Sequence, residues 1–236
     1  MALSSFPQLL GNQAVQRILR SVATERKSDA GAESAAAGTR FSPECSSFNR
    51  CSVIEPLVHA RQLVNAVLAE LPPVAAGTVT SGRIIDLLNV HFHTASAADA
   101  TTILDRFRAI RTELDAPVRY VCHRDNPPDC ESSGTGFVGG FTTCAGSADI
   151  HLCSMYYVSL TCAEQARVLV HEVAHHVPSI CADRAYVGDP SYMTLTPSEA
   201  MGNADTYAQF ASMVFRGAPS CVDCGFEVQR RGGRRY

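Results

Sequence analysis

Apolar and polar residues repeat with helical spacing in three stretches, Glu55 to Leu71, Arg83 to Val90 and Ala97 to Leu114, which predict amphipathic helices. The first stops before Pro72-Pro73, and Ser96 is placed to cap the third. Val118 to Cys122 and Asp149 to Cys153 read instead as strands, separated by a Pro-, Gly-, Ser- and Cys-rich stretch from Asn126 to Gly146. A fourth helical stretch follows, Ala166 to Val177, apolar at Val168, Leu169, Val170, Val173 and Val177. These elements predict an α+β fold, mostly helical with a small antiparallel sheet.

Before residue 43 the pattern is different. Leu10, Ala14 and Ile18, flanked by Val15 and Leu19, predict a short amphipathic docking helix within residues 1–20. Residues 21–42 are rich in Ala, Gly, Ser, Thr and charge, the composition of a flexible linker. The folded domain is expected over residues 43–228, ending in a basic tail at 229–236 that carries Arg230, Arg231, Arg234 and Arg235. The amino terminus does not read as a signal peptide, because its first charge is Arg17 and Pro7, Gly11 and Asn12 interrupt any apolar run.

Composition narrows the function classes. With 236 residues, 46% hydrophobic and 18% charged, the chain can bury a core, which excludes global disorder. A net charge of −3 argues against a general nucleic-acid binder, and no apolar run is long enough to span a bilayer. Ten cysteines, most of them scattered singly, predict a disulfide framework and an extracellular or secreted protein. Cys221-Val-Asp-Cys224 fits a disulfide better than a metal site, and an oxidised cysteine set removes the thiolate a Cys/His protease needs. Gly134-Thr-Gly136-Phe-Val-Gly139 spells a nucleotide-binding fingerprint but opens no helix, so it reads as a loop.

The chemistry lies in His171-Glu172-Val173-Ala174-His175. On a helix, His171 and His175 are one turn apart on one face, so both imidazoles reach one Zn²⁺. Zinc lowers the pKa of its water to about 7, and Glu172 is then placed to act as general base when that water attacks a peptide carbonyl. A catalytic zinc takes three protein ligands and keeps a fourth position open. Pro178 and Cys181 stand where a metzincin has Gly and His, which leaves Glu199 and Asp183 as candidates for the third ligand. His59, His91, His93, His123, His151 and His176 have no partner at ligand spacing and are read as structural.

From His171 to Ala211 the chain resembles the aspzincin metallopeptidases, the deuterolysin and peptidyl-Lys metalloendopeptidase family. The HExxH motif is followed by Asp183-Arg-Ala-Tyr186 and by Asn203-Ala204-Asp205, with Phe210-Ala211 closing the pattern. The resemblance implies a disulfide-rich zincin-like fold, one catalytic zinc ion held by His171, His175 and Asp183, and Tyr186 as donor to the oxyanion. It implies an edge strand at Asp149 to Cys153 that aligns a protein or peptide substrate. Asp205 is either an acceptor for a zinc-bound imidazole or an acid that receives a basic substrate side chain. Ala208 replaces an acid found in the peptidyl-Lys members, and Ile180-Cys181 replaces the Gly-Thr before the ligand.

Zinc metalloendopeptidase is therefore the expected function, with a catalytically idle, zinc-stabilised binding module or cargo protein as the alternative. Leu9 to Leu19 also resembles a segment of cargo proteins of bacterial extracellular contractile injection systems. That likeness implies a partner particle engaging residues 7–20, a non-classical export route and a secreted or injected toxin.

Overall fold

The computed structural model describes residues 39–125, 127–130, 138–144 and 149–217. The segment at 1–20, the expected linker up to residue 38, residues Gly134 to Gly136 of the glycine-rich stretch, Cys221, Cys224 and the basic tail lie outside the described residues. Along the chain run β1 (Arg40–Phe41), α1 (Ser47–Glu70), α2 (Pro72–Ala75), α3 (Arg83–Phe92), α4 (Ala97–Asp115), β2 (Arg119–Cys122), β3 (Gly140–Phe141) and β4 (Ile150–Leu152). Then follow α5 (Ser154–Val158), α6 (Cys162–Ala174), α7 (Pro197–Met201) and α8 (Ala204–Val214), with 3₁₀ turns at Pro128–Cys130 and Pro190–Thr194. Arg40 and Phe41, linker residues by composition, pair with Arg119 and Tyr120 of the sheet.

The expected helices are present, with shifted ends. α1 begins well before Glu55 because Ser46 and Asn49 form a capping box that satisfies the first free N–H groups. Pro56 consequently falls inside the helix, where it has no N–H to give the Ser52 carbonyl. Tyr156 supplies the missing donor, its hydroxyl meeting Ser52 O at 3.0 Å from α5. Ser96 caps α4 by accepting the Asp99 N–H, as its position predicts.

The fold is α+β and mainly helical, but the sheet is mixed, not antiparallel. Its order is β1-β2-β4-β3, with β1 and β4 both parallel to β2 and only β3 antiparallel to β4. Parallel neighbours need long crossovers. The stretch from α1 to α4 supplies one between β1 and β2, and residues 123–149 supply the other. β4 is therefore internal and β3 is the free edge beside it, which corrects the expectation of an edge strand at Asp149 to Cys153.

The core is a stack of helices on α6. α1 and α8 pack against α6, and α3 and α4 close the outside. Phe92, Phe107, Tyr207 and Phe210 form an aromatic cluster there, with centroid separations of 5.1 to 5.9 Å. Disulfides join Cys45 to Cys122, Cys130 to Cys153 and Cys144 to Cys181, and Cys51 and Cys162 are also disulfide-bonded. No described helix is long and apolar enough to cross a membrane.

Candidate active site

α6 carries the motif. A capping box between Thr161 and Glu164 starts the helix, and His175 is its C-cap residue, so the motif occupies the last turn and not the middle. The one-turn spacing brings the Nε2 atoms of His171 and His175 to 3.2 Å, with the rings edge-on at 77°. Both histidines and Glu172 are buried.

Beyond the helix the chain is steered back over these imidazoles. Ala182 bridges the start of α8, its N–H donating to Gly202 O at 3.2 Å and its carbonyl accepting the Ala204 N–H at 3.1 Å. Asn203 Oδ1 accepts the N–H of Arg184 at 2.8 Å and of Ala185 at 3.4 Å. Its Nδ2 donates to Ala185 O and Thr206 Oγ1. The Cys144–Cys181 bond ties the same turn to the chain just after β3. Asp183 is thereby delivered with Oδ1 3.1 Å from His171 Nε2 and Oδ2 3.3 Å from His175 Nε2.

Whether these donors suit zinc is a geometric question. Four ligands tetrahedrally placed about 2.0 Å from an ion lie about 3.3 Å from one another. The 3.2 Å between the two imidazole nitrogens matches that edge length, each nitrogen has a different Asp183 oxygen at 3.1 or 3.3 Å, and two imidazoles with one carboxylate are a zinc donor set. Asp183 is the solvent-facing member, its side chain 39% exposed against 10% and 7% for the histidines. Among the described residues, these three form the one cluster able to hold a metal.

The neighbouring groups are electrically tuned. Burial pushes the Glu172 carboxyl up, opposed by the two imidazoles. Burial also pushes Asp183 up, but the hydrogen bonds and charges of His171 and His175 outweigh it and hold the carboxyl well below the ordinary range. For His171, burial favours the neutral ring, yet Asp183, Glu172 and Asp205 together raise its pKa. Tyr186 stacks on His171 at 5.7 Å, and burial followed by the charges of Asp183 and Glu172 lifts its phenol above the usual range, so the proton stays on oxygen.

Asp205 is buried at the start of α8. Its Oδ2 accepts the Val187 N–H at 2.7 Å, and its Oδ1 lies 3.9 Å from His171 Nδ1. The free edge strand comes close to the motif at Gly140, where an added Cβ would meet His151 O at 2.8 Å and Glu172 Cγ at 3.5 Å. The His151 carbonyl is what demands glycine there, since a Cβ 3.5 Å from Glu172 Cγ is in ordinary contact.

Glu199, the rival ligand, is not gathered here. Its carboxylate accepts the Thr196 N–H at 2.9 Å in a capping box on α7 and lies 3.8 Å from Arg184. His91 and His93 sit at the end of α3, where both contact Tyr192. His123 and His151, distant in sequence, meet at 2.8 Å because β2 and β4 are neighbours, with Phe141 stacked on both. Such cross-strand meetings leave no spacing signal. The grip of Asn203 on the ligand turn was equally silent, although its place beside Asp205 in the motif marked it.

A helix bearing two histidines one turn apart, a mixed sheet whose edge among the described strands lies alongside, and a third candidate ligand on the returning chain define a zincin-like metallopeptidase fold. The family model described as lysine-specific metallo-endopeptidase, the aspzincin family, matches residues 83–212, and the chain belongs to that family. A neutral protease 2 homologue from Aspergillus terreus is 30% identical over 132 residues, covering 52% of this chain and 37% of its own. The neutral protease 2 homologue mep20 of Aspergillus flavus is 29% identical over 174 residues, or 70% of this chain and 44% of that protein. The chain thus spans less than half the length of these curated relatives. A solved zinc peptidase from Grifola frondosa superposes with a TM-score of 0.54 at 18% identity, over 71% of this chain and 96% of that one, a likeness of fold.

Proposed function

We propose that this chain is a zinc-dependent endopeptidase that hydrolyses peptide bonds in proteins or peptides outside the cell. The observation that carries the reading is the gathering of His171 Nε2, His175 Nε2 and the Asp183 carboxylate, with contacts of 3.1–3.3 Å, next to Glu172. Zinc bound there supplies Lewis-acid activation of a water and of the scissile carbonyl. Glu172 takes the water's proton and returns it to the leaving nitrogen. Tyr186 donates its hydroxyl hydrogen to the carbonyl oxygen as negative charge builds there. Asp205 stands 3.9 Å from His171 on its Nδ1 side, where the supporting partner of a metal-bound imidazole ordinarily lies. With one carboxylate oxygen occupied by Val187 N–H and an alanine at 208, its role in receiving a substrate lysine is the weaker reading. The disulfide framework supports action in an oxidising, extracellular setting.

The test is zinc content together with casein cleavage for oxidised wild type, Glu172→Ala and Asp183→Ala. One zinc per wild-type chain is expected, with Glu172→Ala keeping metal but losing about 10²- to 10⁴-fold in rate. Asp183→Ala is expected to lose the metal. Bound zinc without cleavage of casein or of a diverse peptide library overturns the proposal in favour of an idle binding module.

A further inference from the structure

The disulfides of this protein are not equivalent. Cys45, Cys122, Cys130 and Cys153 are 0–5% exposed, sealed in the interior. Cys51, Cys162 and Cys181 are half-buried, and Cys144 alone among the described cysteines is exposed, so a reductant can reach the Cys144–Cys181 bond. The same bond has the most consequential position. Cys144 lies three residues beyond the edge strand that borders Glu172, and Cys181 lies two residues before Asp183. The covalent loop, with a sequence separation of 37, encloses β4 and the whole of α6.

We propose that Cys144–Cys181 is a redox latch on the active site: closed, it fixes the Asp183 turn against the edge-strand side, and a dithiol opens it. In the exchange, a thiolate of the dithiol attacks the exposed Cys144 sulfur and expels the Cys181 thiolate. The second thiol of the reductant then closes its own disulfide and releases Cys144. Two electrons and two protons pass to the protein, and the dithiol leaves oxidised. Once opened, the turn keeps its backbone, Asn203 and Asp205 contacts to α8, but this bond no longer holds it toward β3. Asp183, the most exposed ligand, is the one whose place depends on that turn. The latch confines function to oxidising surroundings and shuts it off in a reducing one. Its effect on metal rests on the zinc reading above, whereas its effect on the turn does not.

The experiment titrates intact oxidised protein with dithiothreitol, traps thiols by alkylation and maps them by mass spectrometry. Amide hydrogen exchange is then followed in metal-free protein, and zinc affinity is measured by chelator competition. Cys144 and Cys181 are expected to be labelled first. Exchange at Ala182, Arg184 and Val187 should rise about tenfold or more, and zinc affinity should fall by about tenfold or more. The double variant Cys144→Ser/Cys181→Ser should reproduce both changes and no longer respond to mild dithiol. Earlier labelling of another pair, or unchanged exchange in the double variant, overturns the latch. Increased exchange in a protein that takes up no zinc even when oxidised upholds the latch and sinks the zinc site instead.

Discussion

Asn203 Oδ1 accepts the Arg184 N–H at 2.8 Å, so a buried amide at the head of α8 grips the backbone immediately after the Asp183 carboxylate. The amide uses its whole capacity: two backbone donors reach its oxygen, while its nitrogen serves Ala185 O and Thr206 Oγ1. Asn203→Ala removes a fully buried amide and leaves the Arg184 and Ala185 N–H groups and the Ala185 carbonyl without their partner. Unfolding free energy should fall by about 2–4 kcal/mol, and zinc affinity should fall with it by about 10- to 100-fold. Denaturant unfolding with and without zinc measures both. Full metal affinity in a destabilised variant would show that the grip serves folding alone.

Tyr186 stacks on His171 while remaining 48% exposed, which suits a group that meets substrate better than one that fills a core. In the proposed role, removing its hydroxyl takes away a donor that matters only as the carbonyl oxygen gains charge. Tyr186→Phe should keep zinc and KM near the wild-type values and lower kcat by about 10²-fold. Steady-state kinetics on a fluorogenic peptide separates the two parameters. An increase in KM with kcat unchanged would reassign the ring to substrate binding.

Pro56 and Tyr156 form a compensating pair across the core. The proline leaves the Ser52 carbonyl without its helical partner, and the Tyr156 hydroxyl fills the gap at 3.0 Å. Tyr156→Phe should therefore cost about 1–3 kcal/mol of stability. In the Pro56→Ala background a main-chain N–H is available to the same carbonyl, and the penalty should shrink to under about 1 kcal/mol. A double-mutant cycle in urea reads the coupling directly, and additive effects would rule the compensation out.

What the sequence disclosed follows from which contacts are local. The α3, α4 and α6 helices show their period within a few turns, and His171 and His175 meet because one helical turn separates them. Asp183 stood as one of two candidates until the family likeness favoured it, and Tyr186 and Asp205 were marked by that likeness alone, since a turn and a separate helix carry them to the histidines. β1 and β3 have two residues each, too few for a period to register. The parallel neighbours of β2 depend on long crossovers that no local pattern encodes. Disulfide pairing and the meeting of His123 with His151 are products of that tertiary arrangement. The early start of α1 was hidden by Pro56, which reads as a first-turn residue and sits in the interior.

His91 supplies a pH dependence separate from the metal site. It is 3% exposed, its Nδ1 and the Tyr192 hydroxyl are hydrogen-bonded at 2.8 Å, and Tyr192 and Phe210 meet its ring edge-on. Burial first, and then the neighbouring His93, pulls its pKa from 6.5 down to about 4. The unfolded chain takes up the proton near pH 6.5, whereas the folded protein resists until about pH 4. Stability is therefore fully present above about 6.5, drains as pH falls toward 4, and changes no further from this group below that. The loss is on the order of 2 kcal/mol. His91→Gln keeps a polar side chain that does not titrate. Urea unfolding of both proteins at pH 7, 5.5 and 4.5 should show the wild type losing its advantage over the variant by about that amount. Parallel pH profiles for the two proteins would mean that His91 is protonated in the fold as readily as in the unfolded chain.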